Sequence, residues 1–243
     1  DGTDITGATI DGQDVQEITV DGQTVFTGID PNIIDNFEAP LYGDQNKTLS
    51  DYYTGDLSLF NRQQSTVQEG SFALEMTGEG VIVGSRKDIT QGDTVRGFVR
   101  TNNANGNPSL LFGGDSDIEN CYAAKFVNPQ ANRLDIDIIE NGNFQSRLTT
   151  PSSLSANQWY EFELDWNTNN TITAKVFDLN GTLQVSLSAS DSTYTTGTGY
   201  GFNNDPDGPN YFDGLPKNDK MYVTTYLSGL MRWVGSIETV NLK

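Results

Sequence analysis

The chain has 243 residues, 33 acidic and 14 basic, with no histidine, one cysteine and a formal charge of −19. Such a surface repels polyanions, which argues against a nucleic-acid partner. The lack of histidine removes Ser-His-Asp and Cys-His catalysis and imidazole-bound zinc, and the lone Cys121 removes an intrachain disulfide. No apolar run reaches eighteen residues, so no membrane insertion is expected. Carboxylate chemistry and binding are what remain.

The chain opens on two near-copies, TIDGQDV from Thr9 and TVDGQTV from Thr19. Each sets Asp-Gly between short runs with β-branched residues, a pattern that favours two-residue hairpin turns because both central positions need positive φ. The spacing predicts a β-meander over residues 5–26, too small to be stable alone. Its Ile10, Val15, Ile18, Val20, Val25 and Phe26 then need a partner surface. Residues 1–28 are therefore expected to form an assembly stub that joins copies of the chain into a homo-oligomer or docks on another protein. Gly28-Ile29-Asp30-Pro31 supplies the hinge to a second unit, residues 29–243.

Beyond the hinge, strand-length runs with period-two patterning recur at 94–100, 109–112, 121–126, 134–139, 159–167, 171–178, 183–190 and 221–226. Asn141-Gly142 and Asn180-Gly181 mark further turns, and no amphipathic helical stretch interrupts them. Many short strands with regular turns predict an all-β antiparallel sandwich or jelly roll. Cys121, in CYAAKF, reads as a small buried hydrophobe.

Two constellations carry chemistry. DIDIIE, Asp135 to Glu140, alternates apolar and acidic residues, which predicts Leu134, Ile136 and Ile138 facing the core with Asp135 and Asp137 in solvent. The same segment resembles the E-x-D-x-x-E signature of laminarinase-type glycoside hydrolases, which implies Asp135 as nucleophile and Glu140 as acid/base. Retaining chemistry sets those carboxyls roughly 5–5.5 Å apart, which a bulge at Ile138-Ile139 would allow. The first position is Asp, however, where that family has the longer Glu. A non-enzymatic protein is expected.

Residues 203–219, NNDPDGPNYFDGLPKND, read as a long loop. Asp205, Asp207 and Asp213 offer the oxygen ligands Ca²⁺ prefers, without the downstream Glu of an EF-hand. Tyr211 and Phe212 beside Asp213 are expected to stack on sugar rings, with Tyr200 and Arg232 contributed by flanking segments.

NQWYEFELDW, NTITAKVFDLNGTLQVSLS and DSTYTTGTGYGF together resemble the back half of laminin-G-like, concanavalin A-like jelly rolls. IIDNFE, EGSFALEM and VGSIETVNLK resemble the first, third and last strands of such domains. The resemblance implies a jelly roll over about residues 32–243, glycan binding as one of several activities of the fold, and a second Ca²⁺ position at Asp35 and Glu38. In composition the chain resembles proteins of extreme halophiles, with 23 Asp against 10 Glu and only seven Lys. An acidic secreted bacterial protein would share these features. The opening TIDGQDVQEITVDGQTVF is similar to the start of structural proteins from tailed viruses of haloarchaea. It implies a turret, spike or fibre on a virion surface in high salt, with other virion proteins, its own copies and a host surface glycan as the expected partners. The alternatives are the hydrolase above and a secreted or cell-surface lectin of a halophilic microbe.

Overall fold

The computed structural model describes residues 48–216 apart from 69, 85–87, 116–117 and 206–207, together with residue 37 and short strands between residues 9 and 35. In the N-terminal part, β1 (Thr9–Ile10) pairs with β2 (Gln13–Asp14), and β3 (Glu17–Val20) pairs with β4 (Gln23–Thr27). Ile10 stands opposite Gln13 and Val20 opposite Gln23, and the Asp-Gly pairs between them lie outside the described residues. The side chains of Ile10, Val15, Ile18, Val20, Val25 and Phe26, proposed for assembly, lie outside the described residues.

The chain then builds β5 (Ile33–Asp35), β6 (Tyr53–Gly55), β7 (Phe60–Gln63), β8 (Ala73–Met76), β9 (Gly80–Gly84), β10 (Thr94–Thr101), β11 (Asn107–Gly114) and β12 (Cys121–Lys125). It continues with β13 (Arg133–Glu140), β14 (Asn143–Pro151), β15 (Trp159–Trp166), β16 (Thr171–Phe177), β17 (Leu183–Ser190), β18 (Gly199–Asp205), β19 (Asn210–Asp213) and β20 (Leu215–Pro216). Two seven-stranded antiparallel sheets result. The first has the order β14-β13-β12-β11-β18-β9-β6 and the second β17-β16-β15-β10-β19-β8-β7. No α-helix occurs among the described residues. The protein is an all-β jelly-roll sandwich, as the patterning predicts.

Alternation explains the layers. In β16, TITAKVF, burial alternates residue by residue, with Ile172, Ala174 and Val176 turned inward. Phe126 of the first sheet stacks on Phe162 of the second, with ring centroids 4.1 Å apart. Trp166 meets Phe112 edge-on at 5.6 Å and Tyr122 at 6.1 Å. The Phe112 contact needs Gly113, which sits at φ +66° in a bulge of β11, where an added Cβ would come within 2.7 Å of the Trp166 ring. The β13–β14 turn has Asn141 at φ 50° and Gly142 at φ 71°, the conformation that an Asn-Gly pair supplies.

Residues 203–205 and 210–213 are strand rather than the loop expected, and residues 217–219 lie outside the described residues. β18 and β19 are central strands of different sheets. Polar residues are tolerated inside because they pair. Asn210 donates to Asn204, and Asn204 Nδ2 donates to the Gly78 carbonyl at 2.9 Å.

Candidate functional site

The positions expected to bind sugar at β18 and β19 are built into the sandwich. Tyr200 and Phe212 are fully buried, facing the core, and Tyr211 is buried against Trp159 on the outer face of the second sheet. Rings so enclosed have no free face for a sugar, which corrects the expected platform. Asp213 is buried and accepts the Gln68 N–H at 2.8 Å. Arg232 lies outside the described residues.

Of the expected calcium ligands, only the side chains of Asp35 and Asp213 are among the described residues. Asp35 is buried, and its two oxygens accept the Phe37 N–H at 2.7 Å and the Tyr53 hydroxyl at 2.5 Å. The Asp205 side chain, Asp207 and Glu38 lie outside the described residues. Among the described residues no group of three or more acidic, Cys or His side chains is placed to hold a metal ion.

The residues of DIDIIE behave differently from either expectation. Leu134, Ile136 and Ile138 do face the core, but Asp135 and Asp137 are 0% and 2% exposed rather than in solvent. The reason is cross-strand pairing. Asp137 stands opposite Arg147 of β14, and Asp135 opposite Lys125 of β12. Arg147 donates to Asp137 through Nε at 2.5 Å and Nη2 at 3.2 Å, and Lys125 Nζ lies 3.0 Å from the same carboxylate. Asp135 accepts from Arg133 at 2.8 Å, Thr149 at 2.8 Å and Asn128 at 3.2 Å. The Arg147 guanidinium is pushed further up in pKa by its hydrogen bond to Asp137, against the opposing effect of its own burial.

A register shift does fall at Ile138–Ile139, but on the other strand. Ile138 pairs with Ser146 and Ile139 with Phe144, so the extra residue is Gln145 in β14. Alternation along β13 is therefore unbroken, and Glu140 projects to the face opposite Asp135, exposed at the turn. The two carboxyls are not brought together across one cleft.

What the ion-pair network borders is a groove of about 300 Å³ on the outer face of the first sheet. Its floor is the buried apolar patch of Leu111, Cys121, Ala123 and Ile118. Lys125, Asp137, Arg147 and Asn203 line its polar side. Phe144 stands at the rim, 54% exposed, with the Arg147 guanidinium 4.9 Å from its ring centroid. Burial pushes the Cys121 thiol up to about 12, with the Asp115 carboxylate adding to it, so this floor residue is an inert hydrophobe. Sequence patterning missed Phe144 because NFQSRLTTP has no alternation. The available clue was an aromatic residue two positions past an Asn-Gly turn.

A second groove of about 400 Å³ lies between Thr54, Gly84, Asp88, Asp115 and residues 196–199. Among the described residues its lining has neither an aromatic ring nor a cation. The groove beside Phe144 combines an open apolar ring with convergent polar groups, the mixture that small-molecule sites use.

No family model matches the chain. An uncharacterized protein of Methanocaldococcus jannaschii is 29% identical over 153 residues, 55% of this chain and 15% of that protein. The chain thus spans under one sixth of the length of this curated relative. Among solved structures, a xylan beta-1,4-xylosidase from Bacillus halodurans C-125 matches with a TM-score of 0.50 at 14% identity, covering 78% of this chain and 39% of that chain. The carbohydrate binding module CBM66 from Bacillus subtilis matches at 0.49 and 18% identity, covering 69% and 95% of the two chains. A toad ovary galectin in complex with thio-digalactose matches at 0.42 and 11% identity, covering 57% and 98%. The shared property is the β-sandwich fold.

Proposed function

We propose that this chain is a non-enzymatic glycan-binding domain and that its sugar site is the groove bordered by Phe144. The observation that carries the reading is the exposed Phe144 ring, set against Arg147 at the rim of a groove lined by Lys125, Asp137 and Asn203. A sugar presents an apolar C–H face and a rim of hydroxyls. The Phe144 ring matches the first and the polar side chains the second. The rival hydrolase is disfavoured because Asp135 and Asp137 are saturated with donors while Glu140 projects from the opposite face.

The decisive test is a glycan array probed with the intact chain and with Phe144→Ala. Loss of about tenfold or more in affinity is expected on removing the ring, the scale of one aromatic contact. Retention of full binding by Phe144→Ala would move the site elsewhere. The proposal extends to the setting: a turret, spike or fibre protein of a halophilic virus, displaying this domain outward. Detection of the chain in purified particles tests that part, and a cell-surface location without particles favours the lectin alternative.

A further inference from the structure

We infer that the sugar taken by this groove carries an acidic group, a carboxylate or a sulfate ester. The inference rests on the glycan-binding reading and specifies the ligand class. It comes from an inventory of hydrogen-bonding capacity. Asp137 is the only carboxylate lining the groove among the described residues, and its two oxygens already accept two Arg147 N–H bonds and face Lys125. Asp135, behind it, is 0% exposed and accepts from Arg133, Thr149 and Asn128. The carboxylates therefore have no face to offer a ligand.

The donors are not used up. Arg147 uses two of its five N–H groups on Asp137, leaving three without a partner among the described residues, and its side chain is 26% exposed. Arg133 binds Asp135 through Nε, and its side chain is 33% exposed at the end of the same network. A neutral hydroxyl prefers a partner that both gives and takes a hydrogen bond. The capacity left on Arg147 is all donor and suits a group that only accepts, and the open edge of its guanidinium matches the two oxygens of a carboxylate or sulfate. Sites built on such charge-assisted bonds reject analogues that lack the acceptor.

The test is isothermal titration of the intact chain with three probes: an oligogalacturonate, its carboxyl-reduced neutral counterpart, and a sulfated galactan oligosaccharide. Titrations run in about 1 M NaCl, where a Debye length of about 3 Å removes the repulsion between the ligand and the remote acidic surface. Phe144→Ala and Arg147→Lys are run alongside, with circular dichroism melts as the folding check. Arg147→Lys keeps a cation beside Asp137 and removes only the fork. The expected result is at least about tenfold tighter binding of an acidic probe over the neutral one, the scale of one charge-assisted bond. Arg147→Lys should narrow that gap. The carboxylated and sulfated probes distinguish which acid is preferred. If the neutral probe binds as tightly and Phe144→Ala weakens it, the acidic preference is overturned and the glycan-binding reading stands. If no probe binds, or Phe144→Ala leaves binding unchanged, the inference falls together with the reading beneath it.

Discussion

The two outer faces of the sandwich solve the same problem differently. On the second sheet, Trp159, Tyr211, Phe98 and Ala73 form a buried cluster with Val67 packed on it, and the Gln68 N–H is anchored to Asp213. That face is closed by its own chain. On the first sheet the corresponding apolar patch ends at a groove, and its large ring, Phe144, is left in solvent. The charges differ in the same sense. Glu163 on the second sheet pairs with Arg96 and Lys175, whose side chains are 28% and 35% exposed. On the first sheet, Asp135 and Asp137 sit almost wholly beneath their arginines and lysine. Burial of the carboxylates at one face leaves cation donors pointing outward there. At the other face, aromatic packing uses the same area for stability.

The largest effect that would break this contrast is at Asp137. Asp137→Ala leaves Arg147 and Lys125 without their shared carboxylate, and a loss of about 3–5 kcal/mol is expected for breaking a buried pair. Urea unfolding measures it, and a loss below about 1 kcal/mol would mean the network is solvated. Trp159→Ala should cost about 3 kcal/mol, the lower end for a buried large aromatic. The same truncation at Phe144 should stay within about 0.5 kcal/mol, as at an exposed site. Equal costs at the two rings would erase the distinction between a closed and an open face.

Glu163→Ala should cost only about 1 kcal/mol, because its partners are partly exposed and water screens the pair. Its pH dependence sharpens the point. Burial alone would raise the Glu163 carboxyl, but hydrogen bonds from Lys175 and Arg96 outweigh it and hold the group below the ordinary carboxylate range. A lowered folded value means the contribution is present above the unfolded pKa of about 4.3 and is lost as pH falls through the folded value. Burial raises the neighbouring Glu161, which acts in the opposite sense. Urea midpoints from pH 7 to pH 3 should therefore fall more steeply for the intact chain than for Glu163→Gln. Parallel curves would remove Glu163 from the account.

The smallest contrast is chemical. Cys121 lies under the groove floor with its thiol pushed up to about 12, so its labelling by iodoacetamide at pH 8 should await unfolding. Labelling at the rate of a free thiol would show that the floor opens. For the chain as a whole, 19 net negative charges should lower the melting temperature as salt falls from about 1 M to about 0.01 M, where the Debye length grows from about 3 to 30 Å. A melting temperature independent of salt would count against the halophilic setting.

Fold class, the Asn141-Gly142 turn and the inward face of β13 were legible in the sequence. They depend on period-two alternation and on the φ preferences of a few residues, both of which are local. That residues 203–205 and 210–213 belong to central strands came from the packing, because Asn204 and Asn210 are strand residues only once each has the other as a partner. Packing also decided that Asp135 and Asp137 are enclosed, since alternation says which face a side chain takes but not what stands across from it. Arg147 lies ten residues on in the chain and reaches Asp137 through the β13–β14 ladder. Phe144 borders a groove for the same reason: an edge strand with no pattern of its own takes its meaning from the sheet it borders.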